Sequence, residues 1–378
     1  MRFNDVIGQR EVIDRLRQMV KDDRLPHALM FCGPAGCGKL PLALALASWL
    51  LCKRQETTDD CCGECNACHM TQRLEHPDMH FTFPTIKAKW MGTDHKPVSD
   101  DYIKEWHQTL RHDAYITPEE WLEAMGALNQ QAIITAAEGD ELIRKLSLKS
   151  SQGGRKVSIV WLPERMHPTC ANKMLKLIEE PPLQTHFIFV SEAPEQVLGT
   201  IRSRVQRIDL KQLQDSEIEQ ALIEHRGIDP TLAHRLARAA HGNWNRAIAE
   251  TQAEGESRQF LESYKQLMRL AFQKKTREMG AWSEELASWG RERQLRFLKY
   301  MLRMTRENFA YNFQQPEIVY MTPDEEQFAT RFSRYVNERN VIGFSKMANT
   351  ALRDIGQNAN AKIVFFDIAL ETAVLLKR

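Results

Sequence analysis

The segment 33–40 reads GPAGCGKL and contains residue types that bind phosphate. In the pattern G-x-x-x-x-G-K-[ST], glycines let backbone amides turn towards phosphates, the lysine reaches the terminal phosphates, and the hydroxyl holds magnesium. The hydroxyl position is occupied here by Leu40, which offers no oxygen to a cation. The other pattern residues are present: Gly33, Gly36, Gly38 and Lys39. The sequence therefore predicts a phosphate loop that lacks its own magnesium ligand.

The second source of metal ligands in such a site is an acidic pair that ends a neighbouring strand. The apolar run 157–160 is instead followed by Trp161 and Leu162, and Glu164 comes only after a proline. Phosphoryl transfer depends on metal ions and positioned charges, and single groups of this kind are worth on the order of a thousandfold. We therefore expect no ATP hydrolysis by this site alone, while binding of ATP or ADP stays open.

Five of the eight cysteines lie close together in the sequence, and four of them have the spacing of metal ligands. Cys62, Cys65 and Cys68 form a C-x2-C-x2-C run, and Cys52 precedes it, whereas Cys61 is interpreted as a bystander. Four thiolates on a short loop suit a structural tetrahedral zinc. The same run is also compatible with an iron-sulfur cluster, and reduced cysteines without metal are the third interpretation.

Hydrophobic periodicity predicts an α/β fold for the first part of the chain. Apolar runs typical of buried strands, at 28–32, 157–162 and 186–190, alternate with helical patterns, which implies a mainly parallel sheet covered on both faces. Beyond about residue 210 strand signals almost vanish, and 216–252 is interpreted as three short helices. The domain prediction is 1–210 with a cysteine module (52–68) and an insertion (84–130), then 211–255 and 256–378, with linkers near 211 and 255.

The charge balance excludes a global attraction to nucleic acid. Fifty-one basic and fifty acidic residues give a net charge of +1, so any DNA contact must be local or made through partners. A basic stripe at 293–306 is interpreted mainly as a solvated helix face. The apolar run 40–52 is shorter than the roughly 20 residues of a membrane span, and no export signal precedes it, so we expect no membrane association and a cytoplasmic location.

Three segments together resemble bacterial clamp-loader subunits of the AAA+ class. They are PHALMFCGPAGCGK at 26–39, KVSIVWLPERMHPTCANKMLKLIEEPP at 156–182 and TIRSRVQ at 200–206. The resemblance covers about residues 3–210 well, and in the last third it rests on 358–362. It implies an AAA+ P-loop base with a zinc-module insertion, a small helical lid and an all-α collar that assembles a hetero-oligomer.

Within that family the ATPase subunits keep the hydroxyl and the acidic pair, whereas delta-prime members often lack them. Leu40, Trp161 and Leu162 therefore favour a delta-prime-type member, and the family's zinc module favours zinc over iron and sulfur. The family's Ser-Arg-Cys motif is similar to 203–205, which implies that Arg204 reaches into a neighbouring subunit's ATP site. The implied partners are gamma/tau ATPase subunits and a delta subunit of the DNA polymerase III clamp loader and, indirectly, the sliding clamp and primed DNA.

Two alternatives remain open at this point. The first is an ATP-hydrolysing gamma/tau-type loader subunit with an unusual metal site. The second is a zinc-containing nucleic-acid-binding protein with a decayed AAA+ fold. Polymerase chemistry itself is not expected, because no paired metal-binding carboxylates stand out in the sequence.

Overall fold

The structure is a computed structural model that describes residues 1–127, 130–152, 154–314, 319 and 321–377, with the backbone alone at 253 and 254. The chain forms two compact units, Met1–Thr251 and Gln252–Arg378. No helix in the described part of the chain is both long enough and apolar enough to cross a membrane.

The first unit is built around a five-stranded sheet in which every pairing is parallel, in the order β2-β3-β4-β1-β5. The inner strands β1 and β3 are buried along their whole length, as expected when helices cover both faces of a parallel sheet. The strands are β1 Ala28–Cys32, β2 Met79–Thr82, β3 Lys156–Trp161, β4 Thr185–Ser191 and β5 Gln206–Asp209.

Helices on both faces, together with a helical segment after β5, complete the first unit. Local signals set several helix starts: Thr117 caps α5 and accepts a hydrogen bond from the amide of Glu120, with Pro118 in the first helical position. The helices are α1 Arg10–Lys21, α2 Lys39–Leu50, α3 Asn66–Gln72, α4 Ile103–His112, α5 Pro118–Ala124, α6 Ala136–Ser147, α7 Pro168–Glu179, α8 Gly199–Arg202, α9 Asp215–Arg226, α10 Pro230–Ala240 and the start of α11 Trp244–Gln273. Short 3-10 helices occur at Phe3–Asp5, Gln55–Thr57, Ser99–Tyr102, Pro163–Arg165 and Pro194–Gln196.

The sheet separates two hydrophobic cores. Successive side chains of a strand point to opposite faces, so Leu29 and Phe31 enter the core with α2, whereas Met30 enters the core with α6 and α7. Trp161, the last residue of β3, lies on the α2 face and is 3% exposed. The position that an acidic metal ligand would occupy at the end of this strand is therefore a core position.

The insertion 84–130 is folded and packs on this same face. The indole of Trp106 stacks on Phe83 with ring centroids 4.2 Å apart, and it lies 5.0 Å from Trp121 and 5.2 Å from Trp161. The two ends of the insertion meet where the amides and carbonyls of Thr85 and Ile133 bond reciprocally at 2.9 and 3.1 Å. Residues 128 and 129 lie outside the described residues.

The second unit is all helical over its described residues. Its core contains Trp282, Phe297 and Phe365, with the rings of Trp282 and Phe365 in edge contact at 6.0 Å. Besides the rest of α11, the helices are α12 Thr276–Ala287, α13 Arg291–Tyr311, α14 Pro323–Phe332, a 3-10 helix at Ser333–Tyr335, α15 Val341–Gly356 and α16 Ala361–Leu375.

The predicted fold class is confirmed, with a parallel α/β sheet followed by a helical region. Two details differ. The strands β2 and β5 were not predicted, because each has only four residues. The predictions of a third short helix and of a linker near 255 also differ from the structure, because α11 runs without a break through 255 to Gln273. The boundary between the compact units falls within this helix, after Thr251. The three-part division stays a prediction.

Two tryptophans of the insertion provide a matched test of its packing. We expect Trp106→Ala to lower the free energy of unfolding by about 3–5 kcal/mol, because the fully buried indole leaves a cavity among four other aromatic rings. Trp90→Ala should change it by less than about 0.5 kcal/mol, because Trp90 is 68% exposed. Urea unfolding followed by far-UV circular dichroism measures both, and equal midpoints for the two variants would contradict this packing.

Candidate nucleotide site and metal centre

The phosphate loop connects the end of β1 to the start of α2, as the sequence predicts. Gly36 and Gly38 have φ angles of 71° and 93°, in the left-handed region that favours glycine. A Cβ at Gly36 would lie 2.0 Å from Oδ1 of Asn243, and one at Gly38 would lie 3.2 Å from Oη of Tyr115. The loop thus has the expected backbone, but other parts of the chain lie directly against it.

Lys39, the residue that would reach the terminal phosphates, is engaged within the protein. It is 5% exposed, and its Nζ donates a hydrogen bond to the carbonyl of Pro34 at 2.5 Å. A carboxylate oxygen of Glu192 lies 3.5 Å from the same nitrogen. Glu192 follows β4, so its acidic group stands at the carboxyl edge of the sheet, beside the phosphate loop.

Tyr115 belongs to the insertion 84–130, and its side chain lies against the phosphate loop. Its hydroxyl oxygen accepts a hydrogen bond from the amide of Ile7 at 2.8 Å, and its ring centroid is 5.9 Å from that of Trp244. Burial raises the pKa of Tyr115, so the side chain stays a neutral phenol. The ring therefore fills the space between the phosphate loop, the N-terminal segment and the start of α11.

Hydrogen bonds from a backbone amide and from a side-chain amide hold the phosphate loop against neighbouring segments. The amide of Trp244 donates to the carbonyl of Gly36 at 3.2 Å. The side-chain amide of Gln9 donates to the carbonyls of Cys37 and Lys211 at 3.1 and 2.7 Å. These bonds tie the loop to α1 and to the segment after β5.

The three positions that metal ligands would occupy in this kind of site are apolar and buried: Leu40, Trp161 and Leu162 are 4%, 3% and 2% exposed. The nearby acid Glu164 is already used, because its carboxylate accepts hydrogen bonds from the hydroxyl of Ser191 and from the amides of Glu192 and Ala193, at 2.8, 2.9 and 3.2 Å. Glu164 therefore holds the loop after β4.

Arg204 lies near the surface, between α8 and β5. Its Nε donates to Oε1 of Glu179 at 2.5 Å, and Nη1 donates to the carbonyl of Thr200 at 3.0 Å. Its side chain is 38% exposed, so this ion pair is open to solvent. The neighbouring Arg207 pairs with Asp209 at 2.7 Å.

The four predicted metal-ligand cysteines come together. The sulfurs of Cys52, Cys62, Cys65 and Cys68 all lie within 4.8 Å of one another, and those of Cys62 and Cys68 are 3.8 Å apart. Backbone amides point at the sulfurs: that of Cys65 donates to Cys62 and that of Cys68 donates to Cys65, at 3.4 and 3.5 Å. The group could hold a metal ion.

Ionisation of the cluster is uneven. Burial opposes ionisation of Cys62, but the amides of Glu64 and Cys65 and the neighbouring thiol of Cys52 outweigh it and lower the pKa of Cys62 to about 6. Burial raises the pKa of Cys52. Cys61 is separate from this group, because its thiol donates to the carbonyl of Met1 at 3.6 Å and burial raises its pKa to about 11.

The basic stripe on α13 makes contacts within its own unit. Arg296 forms a two-point pair with Glu256 at 2.7 and 2.8 Å, and Arg303 donates to the buried carboxylate of Glu325 at 3.2 Å. The guanidinium of Arg293 lies 4.2 Å from the ring centroid of Trp289. These contacts favour the interpretation of the basic stripe as a helix face over its interpretation as a DNA-binding surface.

Sequence reasoning missed Tyr115 and Glu192. No motif surrounds Tyr115, and its role depends on residues that are distant in the chain. Glu192 carried a usable signal, because it lies two residues after the predicted strand 186–190, and ligands of parallel sheets bind at the edge where the strands end.

Comparison with known proteins identifies the family of the chain. The family model described as DNA polymerase III, delta subunit, matches residues 8–214, more than half of the chain. The DNA polymerase III subunit delta' of Bacillus subtilis is 28% identical over 69% of this chain and 64% of its own length. The DNA polymerase III subunit tau/gamma of Haemophilus influenzae is 26% identical over 66% of this chain and 30% of its own length. The chain thus spans less than two thirds of either relative.

Among solved structures, a DNA polymerase III gamma subunit-related protein from Thermotoga maritima aligns over 96% of this chain and 99% of its own, at 13% identity and a TM-score of 0.31. A similarity of this size adds nothing to the assignment, which rests on the family model and the curated relatives. The chain therefore belongs to the DNA polymerase III delta-subunit family, with the delta-prime clamp-loader subunits.

Proposed function

We propose that this chain is a non-hydrolysing clamp-loader subunit that helps to place a sliding clamp on primed DNA. It would act together with gamma/tau-type ATPase subunits and a delta subunit, as a stator and as the donor of an arginine to a neighbouring ATP site. One observation supports this most strongly: Lys39 is hydrogen-bonded to Pro34 and lies within ion-pair distance of Glu192, while three buried apolar residues occupy the positions of the metal ligands. A cytoplasmic location stays a prediction.

The electrostatics of the loop oppose both binding and cleavage of a triphosphate. A phosphate that approached Lys39 would meet the carboxylate of Glu192 at 3.5 Å from the ammonium, and like charges repel strongly where water is scarce. Leu40 and Trp161 provide no oxygen to hold a magnesium ion that could offset this repulsion. Charge that develops in the transition state would therefore remain uncompensated.

The ring of Tyr115 adds a steric obstacle. It lies between the amide of Ile7 and the backbone of Gly38, and it contacts Trp244. A nucleotide on the phosphate loop would need the space that this ring occupies. We therefore propose that nucleotide is excluded from this subunit, and not only left uncleaved.

Removing the ring should allow nucleotide to bind without restoring its hydrolysis. We expect Tyr115→Ala to bind a fluorescent ATP analogue about tenfold or more tightly than the unaltered chain, because the cleft is emptied. Tyr115→Phe should still exclude it, because the ring stays and only the hydrogen bond to Ile7 is lost. Fluorescence titration measures binding, and phosphate release measures turnover, which should remain at background for all three proteins.

Two outcomes would contradict this account. Equal nucleotide affinity of the unaltered chain and Tyr115→Ala would rule out the exclusion. Magnesium-dependent turnover by the unaltered chain would assign it to the ATPase subunits instead.

The proposed contribution in trans depends on Arg204. Its pair with Glu179 is partly exposed, and exposed ion pairs are worth only about 0–1 kcal/mol, so the guanidinium can leave it for a better anion. A triphosphate in a neighbouring subunit offers more negative charge and two-point geometry for a guanidinium. The pair with Glu179 would therefore hold Arg204 ready until assembly.

Substitution of Arg204 should affect turnover and leave assembly intact. In a loader reconstituted with its ATPase and delta subunits, Arg204→Ala should slow the ATP site that receives the arginine by roughly a thousandfold. The DNA-stimulated ATPase rate of the whole complex should then fall by the fraction of the total rate that this one site contributes. Gel filtration should show the same complex as before.

Arg207→Ala is the matched control, because Arg207 is also an exposed arginine in ion pairs, with Asp209 and Glu195. It should leave the ATPase rate unchanged. Equal rates for Arg204→Ala and the unaltered complex would count against the role of Arg204.

For the cysteine cluster we propose a structural zinc ion. Four sulfurs at about 2.3 Å from a tetrahedral zinc ion lie about 3.8 Å from one another, which agrees with the distance between Cys62 and Cys68. Sulfurs that all lie within 4.8 Å leave room for one ion and are too close for a cluster of several irons. The amides directed at the sulfurs would stabilise the thiolate charge once zinc is bound.

Metal content tests the ligand set. We expect about one zinc per chain in the unaltered protein and in Cys61→Ser, because Cys61 does not face the other sulfurs. Cys62→Ser should retain much less zinc and unfold at a lower temperature, because a ligand is lost and the loop loses its crosslink. Elemental analysis and thermal melting measure these effects, and full zinc content in Cys62→Ser would contradict the assignment, as would iron in place of zinc.

A further inference from the structure

An open groove crosses the second unit between the last part of α11 and α14. It has a volume of about 550 Å³. Aromatic and basic side chains line it: Lys265, Arg269, Phe272, Phe328, Arg331, Phe332, Arg334 and Tyr335. No aspartate or glutamate is among its lining residues in the described part of the chain.

Two of the four cations in the groove are already engaged. Lys265 pairs with Glu262 at 2.9 Å, and Arg334 donates to the hydroxyl of Tyr335 at 3.1 Å. Arg269 and Arg331 are exposed, and among the described residues no carboxylate lies within ion-pair distance of either one. Two guanidinium groups are therefore available to a ligand.

Positive charge continues beyond the end of the groove. Gln273, which lines it, is followed by Lys274. The ammonium of Lys274 lies close enough to Lys377 to lower the pKa of Lys377. This part of the unit thus attracts anions, although the whole chain is nearly neutral.

The rings of the groove are engaged mainly with one another and with neighbouring groups. Phe328 and Phe332 stack on each other at 4.9 Å, and Phe272 meets Tyr335 edge to face at 5.5 Å. The guanidinium of Arg334 lies 5.0 Å from the ring centroid of Tyr335. Single-stranded nucleic acids bind by stacking successive bases on several free ring faces, whereas Phe272 is the one of these four rings that is mainly exposed.

An apolar anchor flanked by negative charge fits this surface better. Phe272 is 61% exposed and lines the groove together with the two available arginines. Binding of a large apolar side chain there would remove it from water, and carboxylates beside the anchor would meet Arg269 and Arg331. Arginine suits such contacts, because its planar group binds a carboxylate at two points.

We propose that this groove docks an acidic peptide segment of a partner protein, anchored by one large apolar side chain against Phe272 and Phe328. The carboxylates of the segment pair with Arg269 and Arg331. The groove is small compared with a stable protein interface, so the contact is of the weak, transient class. This docking is independent of the nucleotide site and of Arg204.

The test uses the full-length chain and a fluorescein-labelled ten-residue peptide of aspartate and glutamate with one phenylalanine. We expect saturable binding by fluorescence anisotropy, which weakens as salt is raised from about 50 to about 200 mM. Arg269→Glu combined with Arg331→Glu should weaken binding by about tenfold or more, because two attractive contacts become repulsive. Phe272→Ser should weaken it at every salt concentration, because the anchor contact is apolar.

Arg258→Glu combined with Arg277→Glu is the matched control, because both are exposed arginines of the same unit outside the groove. It changes the net charge equally and should leave the affinity within about twofold. Unchanged circular dichroism of all variants shows that each is folded.

Several outcomes would overturn the proposal. They are no binding of the acidic peptide, equal weakening by the control pair, and equal affinity for a peptide with serine in place of phenylalanine. Tighter binding of a labelled oligothymidine that is lost in the Arg269 and Arg331 variant would instead make the groove a single-stranded nucleic-acid site.

Discussion

The contact between Trp161 and Trp106 determines what the carboxyl edge of this sheet can bind. Ligands of parallel α/β sheets bind where the strands end, and polar groups are usually placed there. Here the last residue of β3 is an indole packed 5.2 Å from another indole of the insertion. This aromatic packing removes the place for a metal ligand and also holds the insertion on the sheet, so that Tyr115, just after α4, lies against the phosphate loop.

The sequence alone predicts the features that depend on near neighbours. The strand at 28–32, the turn with Gly36 and Gly38, and the cysteine cluster follow from residue types within a few positions of one another. Tyr115 could not be predicted in this way, because its environment comes from Ile7, Gly38 and Trp244, which are far apart in the chain. The break expected near 255 failed for a related reason, because a polar stretch in a long helix resembles a linker when its buried face is unknown.

Lys39 and Arg204, the two basic residues at the centre of the proposed function, differ in their surroundings. Lys39 is buried, and a buried cation with a hydrogen bond and a nearby carboxylate is costly to separate from them. Arg204 is partly exposed, and water can replace its partner at little cost. Under the proposed function, the chain would therefore hold Lys39 away from phosphate and present Arg204 to it, and the difference in burial accounts for this.

The buried position of Trp161 also bears on the history of such a site. An aspartate placed there would carry its charge into a cluster of aromatic rings, where an unpaired ion costs several kcal/mol. A substitution that introduced only one metal ligand at this position would therefore lower the stability of the chain before a complete metal site could form. Under the proposed function, each single step towards a catalytic site would thus carry its own cost in stability, and an absence of hydrolysis would be hard to reverse one residue at a time.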